Sequence, residues 1–182
     1  MAASSKDLPL GTKMPPVSLK DAVTGSLVDV RGGEKGTLVA FICNHCPYVV
    51  HIRAELVRVA HEAIDRGLAV VAINSNDEAS YPQDAPPAMA KLATAESWRF
   101  PFLFDETQDV ARAFGAACTP DLYVFDGEGK LAYHGQFDET RPSSGKPATG
   151  RDLRAAIAAI AEGKAPSGEQ KASIGCSIKW RR

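Results

Sequence analysis

The sequence predicts a single α/β domain, a three-layer α/β/α sandwich with a central mixed sheet and an extra N-terminal hairpin. Three observations carry that expectation. Two unbroken apolar runs, residues 38–43 and 68–73, suit strands buried on both faces. Segments with helical apolar spacing alternate with the strand-like runs. A later pair of strand-like runs flanks Asp126-Gly127-Glu128-Gly129, a tight-turn signal that makes part of the sheet antiparallel. At 182 residues, 45% hydrophobic and 24% charged, the chain has ordinary globular composition and the size to bury about 70% of its unfolded surface in one core.

Residues 1–8 are small and polar and are expected to be a disordered lead-in, with residues 9–182 forming the domain. Pro9, Pro15 and Pro16 bracket an extended entry, and residues 17–19 and 26–29 read as short strands around Thr24-Gly25. The polar turn over 31–36 leads into the run 38–43, which delivers Cys43 to a strand's C-terminal end. Pro47 stands where a first helical turn tolerates proline, and Val49, Ile52, Leu56, Val59 and Ala63 recur with helical period. A helix over 46–66 follows, stopped by Gly67.

Next come a strand over 68–73, a helix over 86–98, a strand over 102–104 and a helix over 107–114 ended by Gly115. Residues 122–125 and 130–134 form the hairpin, and 141–150 a loop rich in Pro, Ser and Gly. Thr149 and Asp152 resemble a helix-start cap for an Ala-rich helix over 151–161. Residues 163–182 are expected as a tail docked on the body.

The 21 Lys and Arg against 22 Asp and Glu leave a net charge of -1, without the basic stripe that phosphate contacts demand. No nucleic-acid partner is expected. The first twenty residues lack the apolar core of a signal peptide, and no run reaches the length of a membrane span. The expectation is therefore a cytoplasmic protein without a membrane partner. That compartment is reducing, so the four cysteines point to catalysis or metal rather than to permanent bridges.

Cys43-Asn44-His45-Cys46 is a CxxC pair placed between a buried strand and a helix start. Helix N-termini carry unsatisfied amides and a partial positive charge that stabilise a thiolate. The expected division of labour has Cys43 attacking a disulfide and Cys46 resolving the mixed disulfide, which leaves an internal bond. His45, flanked by Asn44, is either a tuning group for the Cys43 thiolate or a passive residue of the helix start. Tyr48 beside the pair is a candidate lining of a substrate groove.

At these residues the sequence resembles the thioredoxin superfamily, and within it the peroxiredoxin-like branch of redoxin or AhpC/TSA-like proteins. The resemblance spans residues 9–182 and rests on Cys43-Asn44-His45-Cys46-Pro47-Tyr48-Val49, on Pro101-Phe102-Leu103-Phe104-Asp105-Glu106-Thr107, on Ala117-Cys118-Thr119-Pro120-Asp121 and on Ser173-Ile174-Gly175-Cys176-Ser177-Ile178-Lys179-Trp180. It implies a thioredoxin-like fold, with Pro120 as the cis-proline beside the redox cysteines. Thr119 would then offer backbone groups to an extended substrate segment.

Peroxiredoxins are similar but carry a Thr three residues before the peroxide-attacking cysteine, a Pro seven before and a later Arg. With Cys46 in that cysteine's place, Cys43 and Val39 occupy the other two positions, and no Arg occurs from Ala113 to Thr140. Thioredoxins carry a buried carboxylate under the CxxC, and residues 37–42 supply none.

Cys118 reads either as a small buried hydrophobe or as an additional redox or metal thiol. Cys176, in the docked tail, has reach to Cys118 or to the active-site pair, with Cys118–Cys176 the favoured relationship. The reading is a thiol–disulfide oxidoreductase using Cys43 and Cys46, no cofactor and no metal. Its partners are a disulfide-containing protein or small disulfide and a cellular thiol reductant. The alternatives are a thiol peroxidase, and a metal-binding or redox-sensing module in which Cys43 and Cys46 join His45 or Cys118.

Overall fold

A computed structural model describes residues 2–4, 8–166 and 168–181 of the chain. The elements in order are β1 (Ala2–Ser4), β2 (Ser18–Asp21), β3 (Leu27–Asp29), β4 (Thr37–Phe41), α1 (Pro47–Asp65), β5 (Ala69–Asn74), α2 (Pro86–Ala95), β6 (Phe102–Phe104), α3 (Asp109–Phe114), β7 (Cys118–Thr119), β8 (Asp121–Phe125), β9 (Leu131–His134), α4 (Arg151–Ala161) and β10 (Ile174–Ser177). A 3-10 turn, Pro82–Asp84, precedes α2.

The main sheet has seven strands in the order β3-β2-β6-β5-β4-β8-β9. Strands β4, β5 and β6 run parallel, and β2, β3, β8 and β9 join antiparallel, so the sheet is mixed as expected. Alternation of side chains along a strand assigns its residues to two faces. Leu38 and Ala40 of β4, Val70 and Ala72 of β5, and Leu122 and Val124 of β8 face a core shared with α1, α2 and α4. Val39, Phe41, Val71, Ile73, Tyr123 and Phe125 face the opposite core, where α3 supplies Ala111 and Phe114. Burial on both faces is the reason these strands read as unbroken apolar runs. The result is an α/β thioredoxin-like sandwich, with β2 and β3 as the N-terminal hairpin.

Two local expectations change. A strand occupies Ala2–Ser4, paired with Ile174–Cys176, and Leu8 packs on the second core, so these residues are not a disordered lead-in. Met1 and residues 5–7 lie outside the described residues. The start of α4 is held not by Thr149 and Asp152 but by Asp138, whose carboxylate accepts the amides of Thr149 at 2.6 Å and Gly150 at 2.8 Å. The helix-capping residue is Gly150 at φ +64°, a left-handed backbone that offers no side-chain oxygen and leaves the cap to a distant carboxylate.

The tail docks through β10, which pairs with β1 on one side and with β7 on the other. A small three-stranded sheet, β1-β10-β7, therefore leads directly into Pro120 and strand β8 of the main sheet.

Candidate active site

The end of β4 delivers Cys43, and the first turn of α1 begins with Pro47 immediately after Cys46, which is the helix-capping residue. Both cysteines are almost sealed, 2% and 0% exposed. Thr119 closes over them from β7. Its hydroxyl lies 3.5 Å from the Cys43 sulfur and its carbonyl 3.2 Å from the Cys46 sulfur. The Thr119–Pro120 bond is cis, as the resemblance implied. Tyr48 and Pro120 line one depression, together with His51, Arg141 and Ile174. Of the expected substrate residues, Tyr48 and Pro120 share this depression, and Thr119 touches both cysteine sulfurs.

Behind the pair stands a carboxylate that sequence reading missed. Asp84, fully buried at the end of the 3-10 turn, accepts the Asn44 amide at 2.8 Å, the Asn76 side-chain amide at 2.8 Å and the His45 ring Nδ1 at 2.6 Å. The Asn74 side-chain amide holds the Asp84 carbonyl at 2.8 Å. Tyr81 stacks flat on the His45 ring, with centroids 5.0 Å apart. His45 is therefore fixed on a buried carboxylate. Among the described residues, the Asn44 Oδ1 is the buried side-chain atom without a hydrogen-bond partner.

These contacts divide the two thiols. A hydrogen bond from Cys43 is the largest influence holding Cys46 down to about 4, against burial, with further support from Cys176, the Thr119 hydroxyl and the Val49 amide of the helix's first turn. As a thiol Cys46 donates to the Thr119 carbonyl, and donors turned toward the charged form lower a pKa. Cys43 is pushed far above the usual thiol range, first by its hydrogen bond to Cys46, then by burial and by the Asp84 charge. The groups around Cys46 thus favour a thiolate there, while burial and the Asp84 charge oppose one at Cys43. The physical reason is position: Cys46 caps the helix, while Cys43 sits one turn earlier beside a carboxylate.

Cys176 enters the same cluster. It stands opposite Thr119 in the β10–β7 register, and its thiol is one of the groups that bear on the Cys46 sulfur. Cys118 stands opposite Ser177, and adjacent strand positions face opposite sides of a sheet. The register therefore turns Cys118 and Cys176 to opposite sides of this small sheet, against the favoured Cys118–Cys176 relationship. Cys118 is fully buried, its sulfur 3.7 Å from the Pro120 carbonyl.

Ligand atoms of Cys43, His45 and Asp84 lie within 4.8 Å of one another, a group that could hold a metal ion. The Asp84 oxygens also accept three donors of the chain. No helix among the described residues is long and apolar enough to cross a membrane.

The model of the AhpC/TSA family matches residues 10–134, more than half of the chain. The chain belongs to the AhpC/TSA family. It thereby takes a redox role on a thioredoxin fold. Among solved structures, an uncharacterized conserved protein from Geobacillus kaustophilus is 47% identical, with a TM-score of 0.96 over 100% of this chain and 97% of that one. Two more distant structures show the fold alone. Peroxidoxin BcpB from Mycobacterium tuberculosis is 16% identical, with a TM-score of 0.59 over 86% of this chain and 98% of its own. The thioredoxin domain of a thiol-disulfide oxidoreductase from Bacteroides vulgatus is 18% identical, with a TM-score of 0.55 over 74% of this chain and 91% of its own. None of the curated proteins matches the chain. In this AhpC/TSA chain a carboxylate does lie beside the CxxC, brought by Asp84 from 40 residues beyond Asn44 instead of from the strand below.

Proposed function

We propose that the chain is a thiol–disulfide oxidoreductase in which Cys46 attacks and Cys43 resolves. The observation that carries this reading is the place of the Cys46 sulfur, at the start of α1 and 3.2 Å from the Thr119 carbonyl, where its surroundings hold its pKa down. The Cys46 thiolate attacks one sulfur of a substrate disulfide, a mixed disulfide forms, and the first substrate sulfur leaves as a thiolate. Cys43 then gives up its proton and attacks the Cys46 sulfur. The second substrate thiolate leaves, and the chain holds a Cys43–Cys46 bond. Two electrons have passed to the substrate, and a cellular thiol reductant returns them.

The buried Asp84–His45 pair gives the Cys43 proton somewhere to go, since both groups lie within 4.8 Å of its sulfur. Substrates of this kind are a disulfide-bearing protein segment or a small disulfide, and a reducing cytoplasm suits a pair that rests as dithiol. Disulfide-exchange turnover is expected to vanish in Cys46→Ser and to stall at one equivalent of mixed disulfide when Cys43→Ser is combined with Cys176→Ser. Turnover unaffected by either change ends the reading.

A second reading, thiol peroxidase, is favoured by one observation: the depressed thiol, Cys46, stands in the position of the family's peroxide-attacking cysteine. Peroxide consumption with a thiol reductant, lost in Cys46→Ser, would support it. No consumption removes it.

A further inference from the structure

In the thioredoxin fold the backbone just before the cis-proline is where an extended substrate segment is expected to dock. Here that edge is taken. Strand β10 lies antiparallel on β7, with Cys176 opposite Thr119 and Ser177 opposite Cys118. The approach is so close that a Cβ at Gly175 would collide with the Thr119 carbonyl, so only glycine fits there. The segment is pinned beyond this point. The Ile178 amide donates to the Ala117 carbonyl at 3.0 Å, the Lys179 amide to the Asn76 Oδ1 at 2.9 Å, and the Gln108 side chain to the Lys179 carbonyl at 2.9 Å. Lys179 also lies over the Tyr81 ring, which in turn stacks on His45.

We propose that β10 is a tethered peptide seated in the substrate position, and that its Cys176 is a third redox thiol exchanging disulfides with Cys46. The inference rests on the oxidoreductase reading of the Cys43–Cys46 pair. Starting from the Cys43–Cys46 disulfide, the Cys176 thiolate attacks the Cys46 sulfur. A Cys46–Cys176 bond forms, the Cys43–Cys46 bond breaks, and Cys43 leaves with the electron pair and takes up the proton that Cys176 released. No electrons enter or leave the chain in this step. An external thiolate then attacks Cys176 and frees Cys46, and a second one releases Cys176, so two thiols become one disulfide.

The exchange moves the oxidised bond from a pair at most 2% exposed to the half-buried Cys176, where a bulky reductant has access. Burial, then the hydrogen bond to Cys46 and its charge, push the Cys176 thiol up to about 11, while Lys179 works in the opposite direction. Once Cys46 is held in a disulfide its charge is gone, so the thiol is easier to ionise at the stage where it must attack.

The test is disulfide mapping by peptide mass spectrometry on the full chain, oxidised with one equivalent of oxidised glutathione and quenched with a maleimide in acid. In Cys43→Ser the expected product is an intramolecular Cys46–Cys176 disulfide. In the wild type both Cys43–Cys46 and Cys46–Cys176 bonds are expected during partial reduction. Cys176→Ser should form the Cys43–Cys46 bond but lose it to glutathione about tenfold more slowly, because access to the sulfur limits exchange. A wild type showing only Cys43–Cys46, with Cys43→Ser carrying glutathione on Cys46 and an alkylated Cys176, overturns the relay and leaves the oxidoreductase reading standing. No bond at Cys46 in any form overturns both.

Discussion

The groups around the Cys46 sulfur hold its pKa down, and burial alone would have pushed the other way. A thiol whose folded pKa lies near 4 is ionised above that value and is protonated only as the pH falls through it. Thiolate absorbance at 240 nm is therefore expected to persist down to about pH 4 in the reduced chain, and to be lost in Cys46→Ser; an absorbance step near the ordinary thiol range would contradict the assignment. Asp84 acts on the other thiol. Replacing it by Asn removes the charge that raises Cys43 and turns one acceptor into a donor facing Asn44, Asn76 or His45. Asp84→Asn should lower the Cys43 pKa, read by alkylation rate against pH in a Cys46→Ser background, and cost about 1–3 kcal/mol in denaturant unfolding. The cysteine pair was legible in the sequence because its chemistry depends on short covalent spacing, and Pro120 was legible through the family resemblance. Asp84 was not, because it reaches Asn44 across 40 residues and no local pattern marks such a partner.

Periodicity identifies elements that bury one stripe or two faces, which is why α1, α4 and the central strands were legible from residue order. Edge pairing leaves no such trace. Strands β1 and β10 each contribute only a few residues and are defined by backbone partners far away in sequence, so only the docking of the tail, and not its seat, was foreseeable. The cap of α4 failed for a related reason, since Gly150 borrows the Asp138 carboxylate. Burial opposes the Asp138 charge, but hydrogen bonds from Thr140, Thr149 and Gly150 prevail and hold its pKa down to about 2. A depressed folded pKa stabilises the fold above the ordinary carboxylate value, and that contribution is lost as the pH falls through about 2. Asp138→Asn should thus destabilise by about 1–3 kcal/mol at neutral pH, with the difference shrinking as acid protonates the wild-type carboxyl; an equal difference at pH 7 and in strong acid would refute it. For β10, Gly175→Ala should lift the strand off Thr119 at a cost of about 1–3 kcal/mol from overpacking. Faster labelling of Cys46 by a bulky maleimide would report it, and labelling at the wild-type rate would show the strand does not guard the site.

At the scale of the whole molecule, a mixed sheet with its two faces covered carries the Cys43–Cys46 motif at the end of its central strand β4, and the chain's two ends close over that motif as β1 and β10. The fold class was legible because it follows from burial on both faces; the closure was not, because it joins residues near the start of the chain to residues near its end. The central claim is that Cys46 opens external disulfides and Cys43 follows. It is tested most directly by incubating two reduced double variants, Cys43→Ser/Cys176→Ser and Cys46→Ser/Cys176→Ser, with oxidised glutathione and weighing the intact chains. The account predicts one glutathione on Cys46 in the first, with one equivalent of glutathione released, and an unmodified chain in the second. Glutathione on Cys43 in the second, with Cys46 unmodified in the first, would contradict it.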